Sequence, residues 1–194
     1  MPAAVQPRLR EGKVYRTQDL ARYGTNAPRL AKRLVAEGYL RPIARGLFVR
    51  LEASKFGNVP PTREELMKGF LKGGRFIFSG PEQWNALGLG STALFASELV
   101  YNESRTGTVE LGGRSFMLRR VAFPETPTPE YFAIDLLRNH QKAGTSIHRL
   151  LTELGRAVAT GRLNKAGLRR EAERYGTAST QRMVEDALEA AAAA

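Results

Sequence analysis

Residues 27–37, APRLAKRLVAE, carry the pattern that most restricts how this chain can fold. Thr25 or Asn26 can cap the start of a helix here, and Gly38 is a residue type that ends one. The apolar residues recur at intervals of three and four and so share one helix face: Ala27, Leu30, Ala31 and Leu34. The segment is therefore predicted to be an amphipathic helix with one face in a core.

A short helix is predicted before this segment and a hairpin after it. Thr17–Gly24 has a capping residue type at its start and a glycine at its end. Leu40–Val49 contains two short extended runs around Ala44-Arg45-Gly46, a pattern typical of a hairpin. The order helix, tight turn, helix, hairpin is that of a winged helix-turn-helix, whose second helix enters the DNA major groove.

The polar face of the second helix carries positive charge only. No acidic residue lies between Asp19 and Glu37, whereas a face that needs only solvation mixes both signs. Arginine suits the guanine edge, asparagine the adenine edge, and lysine a phosphate. We therefore predict base contacts by Asn26, Arg29 and Arg33. Contacts to phosphates or the minor groove are predicted for four further residues: Thr25, Lys32, Arg41 and Arg45.

The charge of the whole chain supports the same prediction. The net charge is +11, and residues 1–56 hold 12 Lys or Arg against 4 Asp or Glu, a net of +8. Residues 57–194 hold 18 against 15, a net of +3. Such asymmetry between segments is typical of a polyanion-binding module joined to an ordinary domain.

Composition also limits where the chain can work. It contains no cysteine, which excludes disulfides and thiolate metal sites. No apolar run reaches the roughly 18–20 residues of a membrane span, and no signal peptide is visible at the N-terminus. A cytoplasmic protein without a membrane partner is expected.

Residues 57–194 read as a second, mixed domain. A linker is predicted at Ser54–Pro61 and a capping box at Thr62–Glu65. Strands follow, two of them joined by Gly112-Gly113, and the chain is helical from Phe132 onward. The predicted fold class is α+β: a winged helix-turn-helix over 1–56, then a domain over 57–194 with a small antiparallel sheet and C-terminal helices.

No catalytic or cofactor site is predicted. Gly90-Ser91 is not followed by the paired carboxylates that a two-metal nucleotidyltransferase needs. His140 and His148 have neither cysteine nor a convincing carboxylate beside them. Phosphate-binding loops, dinucleotide fingerprints and nucleophile elbows are missing from the sequence. Trp84 is expected in a core, with a base-stacking platform as the alternative.

The stretch VYRTQDLARYGTNAPRLAKRLVAEGYLRPIARGLFVR resembles the N-terminal winged-helix domain of the AbiEi-type antitoxins of type IV toxin–antitoxin systems. The resemblance continues through FSGPEQWNALGLGST and covers some 150 residues, although only the N-terminal part is specific. It implies a DNA-binding antitoxin that represses its own operon and counters a nucleotidyltransferase toxin. Pro28 departs from the family pattern at an early position of the recognition helix.

Other functions remain open from the residues alone. They are a stand-alone winged-helix transcription regulator, an RNA-binding protein and an interaction scaffold with a basic surface. The second domain is expected to bind a protein partner or to position a second copy on DNA. A basic stretch at 162–170 fits solvated surface, a second phosphate contact or a protein contact.

Overall fold

The computed structural model describes residues 9–55 and 57–192 and divides into two units. The N-terminal unit comprises Met1–Phe76 and Thr108–Phe116, and the C-terminal unit comprises Ile77–Gly107 and Met117–Ala194. Residues 1–8 and 56, which begin and end the predicted first domain, lie outside the described residues. The predicted α+β class is confirmed, with small antiparallel sheets and helices at the C-terminal end.

The N-terminal unit combines a helix pair with short strands and one further helix. Its elements are β1 (Val14–Arg16), a 3-10 helix (Thr17–Tyr23), α1 (Ala27–Ala36), β2 (Arg41–Ala44), β3 (Leu47–Val49), β4 (Glu52–Ser54), β5 (Gly57–Val59) and α2 (Arg63–Phe70). One sheet has the order β1-β3-β2, and β4 pairs with β5.

Strand β1 was not expected from the sequence, which indicated only the hairpin. It pairs antiparallel with β3, Val14 opposite Val49, and so makes the sheet three-stranded. The expected N-cap, Thr17, was wrong, because Arg16 is the cap and its N–H donates to the Asp19 carboxylate at 2.8 Å. Thr17 instead donates its N–H to the Gly46 carbonyl, 3.0 Å away in the β2–β3 turn.

Helix α2 packs directly on β1. A Cβ atom at Gly69 would overlap the Val14 side chain, so only glycine permits this approach. The Arg16 guanidinium donates to the Gly69 and Phe70 carbonyls at 2.8 and 2.6 Å, and thereby satisfies acceptors at the helix C-terminus.

The N-terminal unit continues past residue 56 through α2 to Phe76 and includes Thr108–Phe116. The predicted linker, Ser54–Pro61, was wrong: it holds the β4–β5 pair, in which the Ser54 hydroxyl donates to the Gly57 carbonyl at 2.7 Å. Gly112, in the second segment of this unit, donates its N–H to the Ile43 carbonyl at 3.2 Å.

The remaining elements include a four-stranded sheet, of order β6-β7-β9-β8, and five helices. They are β6 (Phe76–Ser79), α3 (Pro81–Ala86), β7 (Glu98–Asn102), β8 (Gly107–Leu111), β9 (Arg114–Arg120), α4 (Pro129–Asn139), α5 (Ile147–Ala159), α6 (Lys165–Tyr175) and α7 (Ala178–Ala192). The predicted Gly112-Gly113 turn is confirmed, and both glycines have positive φ.

The core of the C-terminal unit lies among α4, α5, α6 and α7 and against β7. Trp84 is fully buried in it, which agrees with the core prediction and leaves its indole no face for a nucleic-acid base. The close approach of α5 and α7 depends on Gly155, whose added Cβ would lie 3.0 Å from the Ala187 carbonyl oxygen.

Candidate nucleic-acid interface

Helix α1 begins at the position that the sequence indicated. Asn26 is its N-cap, and the Asn26 Oδ1 atom accepts a hydrogen bond from the Arg29 N–H at 3.0 Å. Pro28 lies in the first turn, where backbone N–H groups have no acceptor within the helix, so proline's missing N–H costs no hydrogen bond. Gly38, with φ +77°, follows the last turn. Local residue chemistry therefore accounts for both ends of the helix.

One face of α1 is buried and the opposite face is exposed to solvent. The predicted stripe is buried, with Leu34 1% exposed, in a small core that includes Tyr15 of β1, Leu20 of the 3-10 helix and Leu40. All seven predicted contact residues are exposed: Thr25, Asn26, Arg29, Lys32, Arg33, Arg41 and Arg45. The first five precede or lie on α1, and the last two lie on the β2–β3 hairpin.

Most of these exposed cations have no acidic neighbour. Among the residues that the structure describes, Arg29, Lys32, Arg41 and Arg45 form no ion pair. Arg33 is the exception, since its Nε lies 3.7 Å from Glu37 Oε1. An exposed i, i+4 pair of this kind contributes only about 0.3–0.5 kcal/mol, so it holds Arg33 weakly.

Other arginines of the same unit serve the fold. Arg16 binds the end of α2, and Arg50 donates to the Tyr39 carbonyl at 3.3 Å and lies 3.7 Å from Glu11. Arg22 donates from Nε to the Asp19 carbonyl at 3.1 Å. The structure thus distinguishes arginines that bind carbonyl or carboxylate groups of the fold from arginines that form no ion pair in the described residues. Counting charges along the sequence does not separate the two groups.

The hairpin presents Arg45 at its two-residue turn, beside Gly46 with φ +70°. The turn is held in place because the Gly46 carbonyl accepts the Thr17 N–H at the start of the 3-10 helix. In the hairpin, Leu47 and Val49 are buried, whereas Ile43 is half-buried beside a register shift in β2. A fixed turn with an exposed arginine can approach a polyanion without first becoming ordered.

The other candidate sites have structural explanations. Ser91 is buried, and its Oγ accepts the Ala93 N–H at 3.4 Å. His140 Nδ1 lies 2.8 Å from the Leu137 carbonyl within its own helix turn, and His148 is exposed. No group of three or more His, Asp or Glu residues in the described ranges could hold a metal ion.

A buried carboxylate in the C-terminal unit was not anticipated from the sequence. Asp135 is 1% exposed and accepts hydrogen bonds from Trp84 Nε1 at 2.9 Å and from the Tyr101 hydroxyl at 2.7 Å. Ser79 and Asn139 donate to it as well. Burial raises the pKa of Asp135 above its ordinary value, while these donors act in the opposite direction. The cluster joins α3, α4, β6 and β7.

Two of the four cations in the basic stretch at 162–170 form ion pairs. Arg169 makes a bidentate contact to Glu185 of α7, with its shortest N–O distance 2.6 Å, and Arg170 lies 3.3 Å from Glu171 of its own helix. Hydrogen bonding from Arg169 lowers the pKa of Glu185. Arg162 has no such carboxylate and donates to the Leu87 carbonyl at 3.3 Å. The stretch is therefore not one continuous free basic face.

Comparison with known proteins adds no family assignment. No protein-family model matches the chain, and no curated protein matches it at a significant level. Within the described residues, none of the helices combines the length and apolarity that crossing a bilayer requires. The functional argument therefore rests on the geometry of the candidate interface.

Proposed function

We propose that this chain is a sequence-specific, double-stranded DNA-binding repressor without catalytic activity, and that residues 9–55 include a winged helix-turn-helix. The observation that carries the proposal is the polar face of α1: Arg29 and Lys32, which have no ion-pair partner in the described residues, lie with the weakly paired Arg33 opposite a buried apolar stripe. Arg29, Lys32 and Arg33 are then the residues that enter the major groove, and the β2–β3 hairpin is the wing.

The hydrogen bonds of α1 refine the roles of its residues. A bidentate contact to adenine uses both the oxygen and the nitrogen of a carboxamide, and the Asn26 Oδ1 atom already caps the helix. We therefore assign base contacts to Arg29 and Arg33 and a positioning role to Asn26. Lys32, Arg41 and Arg45 contact phosphates, and Thr25 lies at the same helix start.

The proposed biological role is that of an antitoxin that regulates its own operon and counters a nucleotidyltransferase toxin. Its support is the resemblance of residues 14–50 to the AbiEi-type antitoxins. A nucleotidyltransferase reading frame directly beside the gene supports this role, and a gene without such a neighbour favours a stand-alone regulator.

The DNA proposal is tested with an enriched duplex. Full-length protein selects a preferred sequence from a random duplex pool, and its affinity for that duplex and for a shuffled duplex is measured by fluorescence anisotropy. Removing a base-specific bidentate contact costs about 1–3 kcal/mol, so Arg29→Ala with Arg33→Ala abolishes the preference between the two duplexes. Lys32→Ala weakens binding to both duplexes equally and reduces the slope of log affinity against log salt concentration by about one.

Arg182→Ala is the charge-matched control for Lys32→Ala, because Arg182 is an exposed cation on α7 and each of these substitutions removes one positive charge. It leaves the preference intact. Unchanged selectivity in the Arg29 and Arg33 double variant contradicts the base-contact assignment. Equal competition by single-stranded RNA contradicts the duplex-DNA function and favours the RNA-binding alternative.

A further inference from the structure

The loop after α3 lies against two arginines of the C-terminal unit. Gly88 and Gly90 have φ of +65° and +78°, and Leu89 between them is fully buried and anchors the loop. The Asn85 carboxamide holds the far end: its Nδ2 donates to the Ala93 carbonyl at 3.0 Å, and its Oδ1 accepts the Ala93 N–H at 3.1 Å. The loop is thus a fixed support.

Each glycine of this loop lies beneath a guanidinium group. Arg162 Nη1 lies 3.0 Å from the position that a Cβ of Gly88 would occupy, and Arg149 Nε lies 2.9 Å from that of Gly90. Side chains at 88 and 90 would displace both arginines. Because the glycines are separated by one residue, Arg149 of α5 and Arg162 of the α5–α6 connection both lie against one short stretch of backbone.

Neither of these arginines has an acidic partner among the described residues, although both are exposed. Other arginines of α5 and α6 behave differently: Arg156 pairs with Glu153 at 2.6 Å, and Arg169 pairs with Glu185. Carboxylates accept the donors of exposed guanidinium groups in their preferred bidentate geometry.

An exposed leucine adjoins the same loop. Leu94 directly follows the anchored Ala93 and is 90% exposed, the most exposed large hydrophobic side chain in the described part of the chain. A single exposed leucine is ordinary by itself. Together with exposed arginines that lack an acidic partner, it adds the apolar anchor that protein interfaces combine with arginine.

We propose that Arg149 and Arg162, supported by the Leu87–Ser91 loop, form a carboxylate-binding surface for an acidic segment of a protein partner. Leu94 supplies its apolar contact. The partner is recognised by paired Asp or Glu side chains next to an apolar position. This surface deepens the partner-binding role of the proposed antitoxin and is independent of DNA binding by α1.

The test follows individual arginine side chains of the full-length protein by NMR, through their Nε–Hε resonances. The probe is a blocked hexaglutamate peptide, with hexaglutamine as the uncharged control. Arg149 and Arg162 resonances are expected to shift and saturate at peptide concentrations about tenfold lower than those of Arg182, an exposed arginine without this support. Simultaneous saturation of all three overturns the proposal.

Two variants separate charge from geometry. Arg149→Lys with Arg162→Lys keeps both charges but loses the planar fork, so affinity at this surface falls several-fold, whereas the corresponding Gln variants abolish it. Equal affinity of the Lys variant and the unmodified chain contradicts bidentate recognition. A short duplex DNA that shifts these two resonances more strongly than the peptide overturns the protein-partner assignment.

The outcome is separable from the DNA proposal. The Arg29→Ala and Arg33→Ala double variant is expected to lose duplex selectivity while Arg149 and Arg162 still bind hexaglutamate. Conversely, the Gln variants at 149 and 162 keep duplex selectivity. If the α1 variant also abolishes peptide binding at Arg149 and Arg162, the independent surface proposed here does not exist.

Discussion

At the scale of single residues, two buried tyrosine hydroxyls of the C-terminal unit differ in whether they form hydrogen bonds. The Tyr101 hydroxyl donates to Asp135 and also accepts from Asn139 Nδ2 at 3.3 Å. The Tyr131 hydroxyl is buried with no hydrogen-bond partner in the described residues. A buried polar group without a partner is costly, whereas one inside a complete network stabilises the fold. The two tyrosines therefore form a matched pair for mutation.

Removing each hydroxyl is expected to change stability in opposite directions. Tyr131→Phe removes an unsatisfied buried group and raises the free energy of unfolding by about 1 kcal/mol. Tyr101→Phe removes a donor from a buried carboxylate and lowers it by about 1.5–3 kcal/mol. Urea unfolding monitored by circular dichroism measures both. A destabilised Tyr131→Phe variant would show that the hydroxyl has a partner, such as a buried water.

The titration of Asp135 predicts a specific pH dependence. Burial raises the pKa of Asp135 in the folded state, so the folded chain binds a proton at this carboxyl group more tightly than the unfolded chain does. In the unfolded chain, an aspartate has a pKa of about 3.9. The stabilisation from this group is therefore complete below about pH 4 and is lost as the pH rises through the folded-state value.

Asp135→Asn removes this titration. The unfolding free energy of the unmodified chain is expected to fall relative to that of Asp135→Asn, by up to about 1.4 kcal/mol per pH unit, above pH 4. Denaturation curves at several pH values between 4 and 7 give the difference. Asp186→Asn, at an exposed position on α7, is the control for the loss of one aspartate. A difference that rises with pH contradicts the direction of the shift.

At the scale of elements, α1 shows that one residue type can satisfy both a structural and a functional prediction. Asn26 suits an N-cap and also an adenine contact, and the sequence permits either. The cap hydrogen bond to Arg29 N–H assigns Oδ1 to the helix. Cap substitutions can therefore separate helix stability from DNA recognition.

Three substitutions at Asn26 are expected to have different effects. Asn26→Ser keeps a cap and keeps duplex selectivity, whereas Asn26→Ala loses about 1 kcal/mol of stability. Asn26→Asp keeps the cap, and its negative charge interacts favourably with the helix dipole, so the protein stays folded. The same charge repels phosphates, so the variant binds all duplexes more weakly. Thermal unfolding and anisotropy measured together distinguish these cases. Loss of selectivity in a fully stable Asn26→Ser variant would restore Asn26 as a base contact.

At the scale of the whole molecule, the two units are interleaved along the chain. The N-terminal unit requires α2, since Val14 packs on Gly69 and Arg16 binds the carbonyls of Gly69 and Phe70. A cut between residues 56 and 57 divides the β4–β5 pair and removes α2 altogether. Sequence position alone is therefore a poor guide to where this unit can be isolated.

A fragment comparison tests this organisation. Residues 1–56 alone are expected to give poorly dispersed amide resonances and no cooperative thermal transition, because Val14 and the Arg16 guanidinium lose their partners. Residues 1–76, which keep α2, unfold cooperatively at a lower temperature than the full chain, which also supplies the Gly112 hydrogen bond to Ile43. Equal melting temperatures for the two fragments would contradict a structural role for α2.

Much of the local structure followed from the sequence, because its causes are local. The buried stripe of α1, its Asn26 cap, the Gly112-Gly113 turn and the core position of Trp84 all depend on residue periodicity or on the conformational preferences of neighbouring residues. The same reasoning missed β1, whose pairing with β3 joins residues more than 30 positions apart. It also interpreted the polar, Pro-rich stretch 54–61 as a linker rather than a strand pair.

By itself, the sequence determined the amphipathic character of α1, the positive sign of its polar face and the concentration of charge in residues 1–56. Only the tertiary structure decided which cations are free. Arg16, Arg50 and Arg169 are the same residue type as Arg29, Arg45 and Arg149, yet distant carbonyls and carboxylates engage the first three. Hydrogen-bond partners are set by three-dimensional proximity, which a linear charge pattern does not encode.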